Sequence, residues 1–101
     1  MEQFKIEILD ILYQQLQLLA DKASMEDYEC ELCSILCDFR HIAKTILRTG
    51  PTQEQKQWIF ETANKQIKML SEKKSVGLSD TIDDLAQFIF HFSKYNRKEF
   101  L

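Results

Sequence analysis

The sequence predicts an all-α fold, an antiparallel up-down four-helix bundle in a single domain. Three observations predict it. The 101 residues include only two Gly and one Pro, too little turn-forming material for a β-rich fold. Leu, Ile, Gln, Glu and Lys are abundant, and these residues lose little rotamer freedom in a helix. Apolar residues also recur at steps of three and four rather than two. A chain of this length is one domain, residues 1–101, with one modest core.

The first helix is expected over about 2–23. Gln3, Glu7, Asp10, Gln14, Gln17 and Asp21 form its polar stripe. Phe4, Ile6, Ile8, Leu9, Ile11, Leu12, Leu16, Leu18 and Leu19 form an apolar arc about twice as wide as one core needs. Ser24, with Asp27 three residues on, reads as the cap of a second helix over about 25–49, stopped by Gly50-Pro51. Tyr28, Leu32, Ile35, Leu36, Phe39, Ile42, Ala43, Ile46 and Leu47 fill one face of it. Thr52 and Gln55 form a capping box for a third helix over about 53–72, with a narrow face of Ile59, Phe60, Ala63, Ile67 and Leu70. Residues 73–79 read as the main loop. Ser79 or Asp80 opens a fourth helix over about 80–95, where Asp80, Asp83 and Asp84 suit the positive end of the dipole. Its apolar residues, Ile82, Leu85, Ala86, Phe88, Ile89, Phe90 and Phe92, again spread widely. A four-helix monomer cannot bury all of these faces, so self-association or a groove for a partner helix is expected beside ordinary exposure.

Net charge is −3, from 13 basic and 16 acidic residues. Residues 1–50 carry 5 basic and 9 acidic side chains and residues 51–101 carry 8 and 7. Neither half is a strong polycation, which argues against nucleic acid as a partner. The apolar runs fall short of a membrane span, and the N-terminus lacks the pattern of a secretory signal. The three cysteines are an odd number at helical spacing, the pattern of a reduced, cytoplasmic protein.

Those cysteines, Cys30, Cys33 and Cys37, run with His41 along the second helix at steps of 3, 4 and 4. Cys30, Cys37 and His41 are expected on its outer face. From Cys30 to His41 the helix rises about 16 Å, so one ion cannot bind both ends. No metal ligand set is assigned; Cys33/Cys37 or Cys37/His41 could act only as half of a site completed elsewhere. A di-iron bundle needs two Glu-x-x-His motifs. Asp38 precedes His41 at that spacing, but Phe88 stands three before His91. The Asp27–Cys30 segment resembles copper-sensing helical repressors, but no cysteine follows Cys37 and the family is set aside. No Gly-rich phosphate loop or nucleophile elbow is present, and no pocket is expected beside Cys37 and His41. The expectation is therefore no enzyme and no cofactor.

In size, helix count and the outward direction of His41, the chain resembles histidine phosphotransfer domains, with Lys44 three positions on and Arg48 beyond it. Thr45 stands where that family has Gly. In size, helix layout and weak catalytic equipment, the chain also resembles the immunity proteins against pediocin-like bacteriocins. That resemblance implies a cytoplasmic bundle with specificity in the C-terminal half, on the loop Lys73–Ser79, the fourth helix and the tail to Leu101. Three readings stay open: a protein-binding module of immunity or inhibitor type, a phosphotransfer module using His41 and Lys44, and a thiol- or metal-binding helical dimer. The partner is expected to be another protein, a second copy included, with peripheral membrane contact as a further option. Candidate contact residues are Cys30, Cys37, His41, Trp58, Lys73, Lys74, Phe88 and Phe90.

Overall fold

The structure is a computed structural model that describes the backbone of residues 2–99 and the side chains of residues 3–93. Helices α1 (Glu2–Met25), α2 (Glu29–Thr49), α3 (Gln53–Glu72) and α4 (Ser79–Glu99) are joined by short connections, the last holding a 3-10 turn at Val76–Leu78.

The α1–α2 junction differs from the sequence expectation. Ser24 donates its hydroxyl to the Asp21 carbonyl at 2.7 Å. It therefore serves the last turn of α1 and does not cap α2. α2 starts after Tyr28, which offers no side-chain cap; the Glu26 carboxylate instead accepts from the Tyr28 N–H at 3.1 Å. Tyr28 is exposed, not part of the α2 core face.

The Gly50 stop and the Thr52–Gln55 capping box match. Thr52 accepts from the Gln55 N–H at 3.1 Å, and the Gln55 side chain accepts from the Thr52 N–H at 3.0 Å. Gly50 closes α2 at φ 103°, donating to Ile46, a left-handed conformation that side chains resist. α4 continues past Tyr95 through residues 96–99, because Asn-Arg-Lys-Glu holds no Gly or Pro to stop it. Phe100 and Leu101 lie outside the described residues.

The molecule is two antiparallel hairpins, α1/α2 and α3/α4, laid together so that α2 lies beside α4 and α1 beside α3. Cys33 meets Thr81, Arg40 meets Asp84 and Arg48 meets Phe92. Both numbers rise together, so α2 and α4 run parallel. The short Gly50–Thr52 link therefore crosses a diagonal, along which Phe39 and Trp58 touch with centroids 6.4 Å apart. The Cα frame measures 44 × 30 × 16 Å. A thickness of 16 Å holds only two helix layers.

The core has two clusters. Leu9, Leu16, Phe39, Ala43, Ile46, Ile59, Ala63, Phe88 and Phe92 form one, and Ala23, Leu32, Leu36, Leu70, Leu78 and Leu85 the other. Gln66 stands between Ala63 and Leu70 on α3, only 5% exposed, with neither end of its amide bonded. Leaving buried polar groups unpaired costs about 1–3 kcal/mol. Gln66→Leu is therefore expected to stabilise the fold by about 1–2 kcal/mol, read as a higher denaturant midpoint at unchanged m-value. An unchanged or lower midpoint would contradict this account of the amide.

Tyr13 packs edge-on against Trp58 at 5.4 Å. Burial, with the charge of Glu54 as a second cause, raises its phenol above the ordinary 10.0. The neutral phenol is thus favoured in the fold. Its stabilising contribution is whole below about pH 10 and falls as pH rises toward the native value. Urea unfolding on either side of about pH 10 is expected to show this loss, and Tyr13→Phe to reduce it.

Candidate functional site

The surface feature that stands out is one side of α1. Phe4, Ile8, Ile11, Leu18 and Met25 are exposed by 66%, 41%, 56%, 65% and 75%. Phe4, Ile11, Leu18 and Met25 are each seven residues apart, and Ile8, Gln15 and Lys22 fall between them. The steps alternate four and three along the helix, the spacing that keeps one seam facing a partner helix. Leu9, Leu16 and Ala23 bury the core-facing side of the same helix. The wide arc legible in the sequence is therefore two apolar faces, and α1's own bundle covers only one.

The seam runs into an apolar groove of about 560 Å³ between α1 and α2. Leu18, Leu19 and Ile42 supply its apolar lining, and Gln15, Lys22, Asp38 and His41 its polar lining. A pocket beside His41 was not expected from the sequence. It opens beside Leu12, Leu16 and Leu19, which join the core cluster shared with α2, and a single-helix pattern does not reveal a groove between two helices.

Cys30, Cys37 and His41 are exposed and Cys33 is half-buried, as the stripe predicted. Cys33 accepts from the Thr81 hydroxyl at 3.1 Å, and with Cys37 it lines a small recess of about 50 Å³ between α2 and α4. No group of three His, Cys, Asp or Glu side chains among the described residues is placed to hold a metal. His41 and Lys44 face different grooves: His41 faces α1, whereas Lys44 lines the groove toward α4.

The remaining candidates separate by burial. Trp58 is half-buried against Tyr13 and Phe39 and belongs to the core. Phe88 is 3% exposed and packs on Phe60 and Phe92, so it is withdrawn as a surface contact; its place in the wide α4 arc is the core-facing part. Phe90, Lys73 and Lys74 are exposed. Lys74 takes φ 54° in the turn that ends α3. The α1 seam was not among the candidate contact residues, although seven-residue periodicity in Phe4, Ile11, Leu18 and Met25 could have found it. None of the described helices is long and apolar enough to cross a membrane.

Comparison with family models, curated proteins and solved structures finds no match.

The exposed seam predicts an asymmetry in stability along α1. At high dilution, Ile11→Asp and Leu18→Asp are expected to change unfolding free energy by no more than about 0.5 kcal/mol. Leu16→Ala, which opens the core, is expected to cost about 2–5 kcal/mol. Chemical denaturation of the three variants checks the contrast, and equal losses would mean the seam is packed in solution.

Proposed function

We propose that this chain carries out no reaction of its own and works by protein contact, through the α1 seam and the groove beside it, with a second copy of the chain as the first occupant. The observation that carries the reading is the exposure of five large apolar side chains at coiled-coil spacing. Taking roughly 200 Å² for a fully exposed large side chain, they leave about 600 Å² of surface in water per copy. Doubled across a two-fold axis, that exceeds the roughly 1,000 Å² that a specific interface requires.

Charge favours an antiparallel pair. In a parallel pair Lys22 would face Lys22 of the other copy and Gln15 would face Gln15. An antiparallel pair sets Lys22 toward the other end of the helix, where Glu7 borders the seam. The helix dipoles are also opposed in that arrangement. An immunity-type protein fits the same class of action. The family resemblance, however, would place recognition on the C-terminal half, where Val76 and Phe90 are the large exposed apolar side chains among the described residues; the area argument favours α1.

Two measurements test the reading. Sedimentation of the reduced protein up to about 1 mM is expected to show a concentration-dependent dimer. Ile11→Asp/Leu18→Asp is expected to sediment as a monomer with unchanged far-ultraviolet circular dichroism. In cells, a photo-crosslinker at Leu18 is expected to yield the chain's own dimer, and one at Asp10 on the polar stripe none. A strict monomer with discrete Leu18 adducts to another polypeptide would overturn the second copy and keep protein contact. A strict monomer without adducts would overturn both.

A further inference from the structure

A second groove, between α2 and α4, has the opposite character. Arg40, Lys44 and Arg48 follow one another at four-residue steps along α2, with Gln87 and His91 on α4 opposite and Phe88 and Phe92 on the apolar side. The groove encloses about 300 Å³, the lower end of small-molecule sites. Like charges one turn apart on a helix repel, by about 0.2–0.5 kcal/mol per pair. That repulsion stands in a chain with 16 acidic residues against 13 basic ones.

Among the described residues the groove holds a single carboxylate, Asp84, which pairs with the Arg40 guanidinium at 3.0 Å. Lys44 makes no hydrogen bond or ion pair among the described residues. The Arg48 guanidinium lies over the Phe92 ring, 5.8 Å from its centroid, and pairs with no anion among the described residues. The Arg40 Nε is buried without an acceptor. Among the described residues, three cations against one anion leave two positive charges in excess here, in a protein of net charge −3.

We infer that this groove binds a phosphate group, either inorganic phosphate or the phosphate of a small monoester. Two excess positive charges match a phosphate monoester, which carries about −1.5 to −2 near neutrality. Guanidinium groups offer the planar fork that phosphate oxygens accept, and Lys44 supplies a point charge between them. The Gln87 amide and the His91 ring add further donors on the far wall. Phe88 and Phe92, only 3% and 6% exposed, form the closed floor of the groove. This site is independent of the α1 seam, since α2 presents it on its other flank.

The test is a nuclear magnetic resonance titration of the full chain at constant ionic strength, with inorganic phosphate in one arm and adenosine 5′-monophosphate in the other. Saturable amide shifts confined to residues 40–48 and 84–92 are expected. Lys44→Gln/Arg48→Gln should weaken binding by at least about tenfold, the order that charge-assisted hydrogen bonds contribute. Lys73→Gln/Lys74→Gln should leave it unchanged. Both substituted side chains in the groove variant reach the surface, so its circular dichroism should match the parent. Equal affinity in the two arms assigns free phosphate chemistry; tighter binding of the nucleotide assigns a monoester. Linear shifts without saturation, shifts at Lys73 and Lys74, or binding that survives in the groove variant would overturn the site.

Discussion

The buried face of α2 joins the two halves of the core. Leu32 and Leu36 belong to the cluster shared with Ala23, Leu70, Leu78 and Leu85, and Phe39, Ala43 and Ile46 to the cluster shared with Leu9, Leu16, Ile59 and Phe88. All five α2 residues are fully buried. Full burial of a large apolar side chain is worth about 1.5–3 kcal/mol, so this one helix face organises both hairpins. Its grooves toward α1 and toward α4 are the two that merit functional readings.

The geometry around α2 also explains why the rest of the molecule is unevenly covered. In a frame 16 Å thick each helix turns one face inward. A second apolar face has no place in the interior, however regular its pattern. α1 has such a face, and it therefore meets water. α4 carries a smaller version, with Phe88 and Phe92 inside and Phe90 outside. The proposed contact by α1 and the phosphate groove follow from opposite imbalances: unburied apolar surface on one flank of α2 and unpaired charge on the other.

Much of this was legible in the sequence where a local signal has one use. Gly50 takes the left-handed φ that side chains resist, Pro51 cannot continue a helix, and Thr52 with Gln55 forms a reciprocal capping box. Ser24 misled because a serine near a helix end has two uses. Its hydroxyl can cap the next helix or bond back to the preceding turn, and here it bonds to Asp21. The C-terminal end of α4 was underestimated because Asn96–Glu99 contains no stop signal. Among the candidate contacts, Trp58 and Phe88 carry the aromatic character common in interfaces, but the same character fills cores. Only the positions of Tyr13, Phe39 and Phe60 show which applies.

By itself the sequence determined the helices, most of their caps, the excess apolar width of α1 and the outward position of Cys30, Cys37 and His41. These are properties of a single helix, set by periodicity and local hydrogen bonding over a turn or two. The tertiary structure decided that α2 lies beside α4 rather than α3. It also decided that His41 and Lys44 line separate grooves, and that Arg40, Lys44 and Arg48 share one with Asp84 and His91. Those outcomes depend on the packing of side chains distant in the chain, which no local pattern encodes.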